Sequence, residues 1–303
     1  MDKNWVAIDW GTTNFRAFLM SETGICVDKI EASKGLLSIN DRQFSESLNQ
    51  LLGAWHQSRN IKSILMAGMV GSKQGWVEAP YIEVPATPAS FIKASISVDL
   101  DWGGVAQIIS GACCNNKFDL PDVMRGEEVQ LIGLANLNNG NDFFAILNGT
   151  HSKHAIWKDG LLHSFNTIMT GELFSILTNY SILGKGLPKQ SYDEAAFIVG
   201  VEIGNKFPIN QVLFSARTLQ LFNKISPQYI ESYISGLLIG SELSELPQQT
   251  ACFIVGSQSL SEHYFNALKH LGHLPTIADG DECFLIGMTE LYQLQKEVNN
   301  DKL

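Results

Sequence analysis

The chain has 303 residues, 45% hydrophobic and 17% charged, a globular composition that excludes disordered and fibrous classes and leaves room for two ordinary domains. Its net charge is −10 and its 21 Lys and Arg residues are scattered, which argues against a nucleic-acid partner, although backbone N–H groups and a metal ion could still hold a small phosphorylated ligand. No apolar run approaches the roughly 18–20 residues that span a bilayer, and the opening Met1-Asp2-Lys3-Asn4 is no secretory signal. The expectation is a soluble cytoplasmic protein with no membrane partner. Its five cysteines form no CxxC pair and read as buried free thiols in a reducing compartment.

In chain order, the first thirty residues read as three strands, Trp5–Asp9, Phe15–Met20 and Ile25–Ile30, with Gly11 and Gly24 in the turns. A helix is predicted over Phe44–Ser58, apolar at Leu48, Leu51, Leu52 and Trp55, followed by a buried strand, Ser63–Gly68, and a loop, Met69–Ser72. Ala79–Pro88 reads as irregular, Val105–Ser110 as a strand, and Asp122–Gly133 as a loop feeding a helix. The second half repeats the order. Strands Phe143–Leu147, His154–Trp157 and Leu161–Phe165 precede helices Glu172–Tyr180, Tyr192–Asn205 and Tyr229–Glu245. A strand ending in glycine, Ala251–Gly256, leads to a helix Ser261–Leu271, a short strand Thr276–Ala278 and a last helix Glu282–Gln295. Two related α/β domains with a cleft between them follow, divided as 1–136 and 137–303; a single mixed α/β domain is the plainer alternative.

The chemistry starts at Asp9-x-Gly11-Thr12-Thr13. Asp and Gly are ordinary hairpin residues. Here, however, Gly11 would let backbone approach an anion, Thr12 and Thr13 would donate to phosphate oxygens, and Asp9 would accept from Mg²⁺ or its waters. Asp9 also ends an apolar strand, where an unpaired carboxylate is costly. The partner loop, Gly149-Thr150-His151-Ser152-Lys153, carries Leu147 in the position of Asp9, so metal would be held from one side, with Lys153 a further phosphate contact. His151 and His154 do not have the spacing of a zinc site. Between the loops lies Arg125-Gly126-Glu127-Glu128. Acidic residues favour a helix N-terminus in any case; a carboxylate there could also be a general base, and Arg125 could grip a substrate carboxylate in a two-pronged contact. Gly256-Ser257, after a buried strand, suits a nucleoside. Gly184-Lys185-Gly186 lacks the rest of a P-loop, and no GxGxxG follows a strand.

Paired Gly-Thr hairpins, an acidic segment before the second and a late glycine loop resemble the actin/hexokinase/heat-shock-chaperone ATPase superfamily. More narrowly, Ala7–Ala17 resembles the opening of 2-dehydro-3-deoxygalactonokinases. Met66–Ser72, Val123–Glu128, Gly149–Lys153, Met169–Leu173 and Ser235–Gly240 resemble further blocks of that family, in order and over nearly the whole chain. The resemblance implies an actin-like fold of two ribonuclease-H-like α/β domains with an interdomain ATP and substrate cleft. It implies a kinase for the 6-hydroxyl of 2-dehydro-3-deoxy-D-galactonate using ATP and Mg²⁺. Asp9, Gly11, Thr12 and Thr13 would form the first phosphate loop, with Asp9 on the metal. Gly149, Thr150 and Lys153 would form the second, Gly256 and Ser257 the adenosine loop, and Arg16, Gly68, Met69 and Arg125 the sugar-acid site. Glu127 would be the base, with Glu128 the alternative. Asn148 stands where the family has proline and His154 where it has tryptophan; neither is an expected phosphate contact. A kinase for another sugar acid, or a nucleotide-binding regulator or ATPase without a sugar substrate, stays open, as does a homo-oligomer.

Overall fold

The structure, a computed structural model, describes residues 4–39, 43–246 and 251–300. Its contacts divide the chain into two units, the first made of Met1–Asp142, Ile156–Phe165 and Gly280–Leu303, the second of Phe143–Ala155 and Asn166–Asp279. The expected cut after residue 136 treats the chain as linear. The contacts are not linear, because the last helix and the tip of one hairpin group with the first unit.

The first unit opens with β1 (Asn4–Trp10), β2 (Phe15–Ser21), β3 (Cys26–Ala32), α1 (Phe44–Ser58) and β4 (Ile61–Ala67). The first three strands form an antiparallel meander, while β1 and β4 run parallel and pair Asp9 with Ala67 at their C-terminal ends. On one face of this sheet Val6, Ile8 and Trp10 pack with Phe44, Leu48, Leu52 and Trp55, the apolar stripe of α1. The sequence then supplies β5 (Tyr81–Glu83), α2 (Pro88–Lys93), β6 (Ile96–Asp99), β7 (Val105–Ile108), β8 (Gly111–Asn115), β9 (Pro121–Met124) and α3 (Glu127–Leu137). The main sheet has the order β3-β2-β1-β4-β7-β6, and a small one the order β5-β8-β9.

Four of these strands correct the sequence reading. β5 lies within the stretch expected to be irregular, β9 within the expected loop before α3, and β6 and β8 between predicted elements. Each is only three to five residues long, and two of them begin at or beside proline, so their pairing partners, not their periodicity, make them strands.

The second unit contains β10 (Phe143–Leu147) and the beginning and end of the hairpin β11 (Ser152–Lys158) and β12 (Leu161–Ile168), which turns at Asp159-Gly160 with both φ values positive. There follow α4 (Thr170–Tyr180), α5 (Glu194–Lys206), the short α6 (Ile209–Val212) and α7 (Ser215–Leu221), α8 (Ile230–Glu242), β13 (Cys252–Gly256), α9 (Gln258–His270) and β14 (Pro275–Asp279). The sheet order β12-β11-β10-β13-β14 repeats β3-β2-β1-β4-β7, with β10 and β13 parallel like β1 and β4. Helices α5 and α8 cross through Gly200, Gly204, Gly236 and Gly240; a Cβ on Gly236 would lie 2.0 Å from the Phe197 carbonyl oxygen.

The chain ends in α10 (Gly280–Asn300), which covers the other face of the first unit's sheet. Tyr292 stacks on Trp5 at 4.4 Å, Phe284 meets Phe18, and Gly133 of α3 lies directly against the Cys283 carbonyl. Among the described residues no helix is long and apolar enough to cross a membrane.

Candidate active site

In the first unit the site forms where parallel strands end, the usual place for ligands in an open α/β sheet. Gly11 closes the β1–β2 hairpin by donating to the Asn14 carbonyl at 2.9 Å. The carbonyls of Gly11, Thr12 and Thr13 accept from the amides of Leu36, Leu37 and Gly35 at 2.9–3.1 Å. That turns the tip's acceptors inward and leaves amides and hydroxyls of exposed Thr12 and Thr13 for an anion. Asp9, the 11–16 loop and Glu31 line an open groove of about 630 Å³.

Arg16, across the hairpin from Asp9, donates to its Oδ2 through Nε at 3.2 Å and through Nη2, and through Nη1 to Asp281 of α10. Burial works against the Arg16 charge, but the two carboxylates outweigh it and hold the guanidinium above its ordinary value. Both bonds to Asp9 land on Oδ2. Oδ1 faces Gly68, where a Cβ would lie 3.1 Å from it and 3.0 Å from the Trp10 carbonyl oxygen. Gly68 also has φ +93°, so the tight turn after β4 needs glycine twice over. Gly126 packs on the other side, with its own Cβ position 3.3 Å from Gly68 Cα. A single corner thus joins the end of β1, the end of β4 and the start of α3.

At that start both carboxylates turn back on the chain. Glu127, half-buried, accepts the Arg125 amide at 3.1 Å. Glu128, 1% exposed, accepts the Gly126 amide on both oxygens, at 2.9 and 2.7 Å. Burial first, and then the charge of Glu127, push the Glu128 carboxyl up to about 8. Arg125 is buried under the Tyr81 ring, 4.2 Å from its centroid, and gives Nη2 to the Ala79 carbonyl at 2.7 Å. Among the described residues its Nε and Nη1 find no hydrogen-bond partner, and neither does the buried hydroxyl of Ser72. Met69 begins the short 3₁₀ turn Met69–Gly71 and is half-exposed.

The second unit holds a separate cavity of about 590 Å³ with mostly apolar walls. Gly149 and Thr150 stand on one side with Thr170 and Gly171 of α4; Phe174, Leu238, Ile239 and Leu260 supply apolar surface, and Tyr192 and His263, stacked at 4.7 Å, complete it with Glu231. Burial lowers the His263 imidazole and raises the Glu231 carboxyl, so both favour their neutral forms more than usual. Flat rings, apolar walls and a Gly-Thr loop suit a nucleoside carrying phosphates.

Two sets of expected contacts in this unit lie outside the lining of that cavity. Lys153 is buried on β11 and bonds Thr167 Oγ1 at 2.7 Å. Gly256 and Ser257 do not line the cavity either; the following helix does, through Leu260, His263 and Tyr264. Glycine at 256 has its own structural cause, since a Cβ would lie 2.3 Å from Asn148 Oδ1.

The sequence reading missed Glu242 altogether. This side chain, fully buried at the end of α8, accepts from Ser152 Oγ at 2.6 Å, His154 Nε2 at 2.9 Å, Tyr264 OH at 2.6 Å and Thr170 Oγ1. Burial pushes its carboxyl up, but the hydrogen bond and charge of His154 and the hydroxyls of Ser152 and Thr170 hold it below its ordinary value. The signal was present: a lone acid closing the apolar run Leu237-Leu238-Ile239-Gly240-Ser241-Glu242, as Asp9 closes β1. Asp281 had no such signal, since only folding brings it to Arg16.

Comparison with known proteins places the chain in a family. The model of the 2-keto-3-deoxy-galactonokinase family matches residues 9–291. The 2-dehydro-3-deoxygalactonokinase of Escherichia coli (strain K12) is 34% identical over 297 residues, covering 96% of this chain and 98% of the relative. A protein of Rhizobium meliloti (strain 1021), assigned the same activity, is 31% identical over 94% of this chain and 95% of its own. A crystal structure of a Sinorhizobium meliloti protein, likewise assigned that activity, has a TM-score of 0.88 and 30% identity, covering 97% of this chain and 99% of the other. The repeated sheets and these likenesses identify the two-domain α/β architecture of actin-like ATPases and a kinase whose co-substrate is ATP. The chain belongs to the 2-keto-3-deoxy-galactonokinase family.

Proposed function

We propose that the protein transfers the γ-phosphoryl group of ATP to the 6-hydroxyl of 2-dehydro-3-deoxy-D-galactonate, giving 2-dehydro-3-deoxy-6-phosphogalactonate and ADP in galactonate catabolism. The observation that carries this reading is the corner at Gly68, where Asp9 and the start of α3 meet beside a buried arginine with two unbonded donors. Phosphoryl transfer needs little else than charge neutralisation, a base and accurate positioning.

The roles follow from the surroundings. Arg125 Nε and Nη1, with the Ser72 hydroxyl, are donors with no partner among the described residues, suited to the planar carboxylate of a sugar acid. Glu127, less enclosed than Glu128, takes the proton from the attacking hydroxyl. Thr12 and Thr13 offer donors to phosphate oxygens, as do Gly149 and Thr150, and the cavity beside Gly149 takes the nucleoside. Asp9 Oδ1, left unbonded by Arg16, fits a Mg²⁺ ion or its waters; that ion, when bound, neutralises phosphate charge. A cytoplasmic location is part of the same proposal.

A coupled assay of ADP release across a panel of 2-keto-3-deoxy acids, with a no-sugar control, tests it. Turnover should require a sugar acid and favour 2-dehydro-3-deoxy-D-galactonate. Equal ADP release without sugar would make the protein an ATPase, and preference for another acid would move the substrate within the same chemistry.

A further inference from the structure

The Gly149–Thr150 loop is tied down on both flanks by polar side chains. On the entering side Asn148 Nδ2 donates to Ser261 Oγ of α9 at 2.9 Å. On the leaving side Ser152 and His154 donate to Glu242. The same carboxylate accepts Thr170, the first residue of α4, and Tyr264 of α9, both of which line the cavity. Across the loop itself the Glu172 amide donates to the Thr150 carbonyl at 3.0 Å. Glu242 therefore reaches three elements around one cavity through a side chain with no exposed surface of its own.

Four donors satisfy an ionised carboxylate, whose two oxygens offer about four lone-pair sites. A buried charge with every lone pair met is rigid, because moving any one donor leaves the charge partly unpaired. Asn148 and His154 are thus both members of the ties behind the loop.

We propose that Glu242 is a positioning residue of the nucleotide site, holding the Gly149–Thr150 loop, the start of α4 and the Tyr264 wall in the geometry that takes a nucleoside triphosphate. This rests on the reading of the cavity as the ATP site. Glu242 touches no ligand and acts through Ser152, His154, Thr170 and Tyr264. Its loss alters nucleotide binding and leaves recognition of the sugar acid, built from first-unit residues, as it was.

The test compares wild type with Glu242→Gln, Tyr264→Phe and Thr170→Val, using calorimetric binding of a non-hydrolysable ATP analogue, KM for each substrate, and thermal unfolding. In Glu242→Gln the shape stays but the amide nitrogen cannot accept, so analogue affinity should fall about tenfold or more while KM for the sugar acid changes less than about twofold. Tyr264→Phe and Thr170→Val each remove one donor and should raise KM for ATP about threefold, again without moving KM for the sugar acid. If Glu242→Gln does not fold, these two variants decide the matter. Unchanged analogue binding in folded Glu242→Gln, or equal loss for both substrates, overturns the positioning role. Failure of wild type to bind the analogue overturns the cavity reading instead.

Discussion

Glu127 and Glu128 are neighbours on the first turn of α3, yet the fold gives them different surroundings. Glu128 is 1% exposed with both oxygens on the Gly126 amide, whereas Glu127 is half-buried and holds the Arg125 amide at 3.1 Å. A base must reach the substrate hydroxyl and be ionised when it does so. Glu128, buried and holding its proton to about 8, meets neither need.

Glu127→Gln should therefore bind the ATP analogue like wild type and lose about 10²-fold or more in kcat. Single-turnover ADP release alongside calorimetry checks this. Near-normal kcat would move the base to Glu128 or elsewhere.

Glu128 makes a stability prediction with a definite sign. Its folded value of about 8 lies above the ordinary 4.5, so between those values the unfolded chain gives up a proton that the folded chain keeps. The contribution of this group is full below 4.5, falls by about 1.4 kcal/mol per pH unit, and levels off above about 8. Glu128→Gln keeps a carbonyl for the Gly126 amide and removes the titration. Denaturant unfolding from about pH 5 to about pH 8 should show the variant gaining on wild type as pH rises; parallel curves would refute the raised carboxyl.

Asp9→Asn should retain nucleotide affinity in the second-unit cavity while kcat falls about 10²-fold, because the amide is a poor partner for a divalent cation. A Mg²⁺ titration of activity should shift to higher concentration. No change in Mg²⁺ requirement would free Asp9 of the metal role and leave it as the partner of Arg16.

Arg125→Lys keeps the charge but replaces a flat two-pronged donor with a point charge. KM for the sugar acid should rise about tenfold or more, equivalent to about 1.4 kcal/mol, with KM for ATP unmoved. Unaltered KM for the acid would place its carboxylate elsewhere. Thermal unfolding in the same experiment accounts for the lost stacking on Tyr81.

Much of the framework was readable because it rests on local pattern. The α1 range matches the spacing of its apolar residues, β10 matches its apolar run, and the paired hairpins anticipated the repeated sheet order. The short β5, β6, β8 and β9 were not readable, since a strand of three to five residues has too few alternations to show a period and exists through its neighbours.

The sequence by itself determined the inventory: two Gly-Thr loops, only one preceded by an acid, an Arg-Gly-Glu-Glu segment between them, and the family to which these blocks point. Those features are contiguous, and their chemistry travels with residue type. The tertiary structure alone decided which groups meet. It set Asp281 on Arg16, placed Gly68 between Asp9 and Gly126, gave Glu127 and Glu128 unequal burial, and gathered four donors around Glu242. Desolvation and hydrogen bonding depend on what surrounds a side chain in space, and residues 265 positions apart can supply that environment as readily as the next residue in the chain.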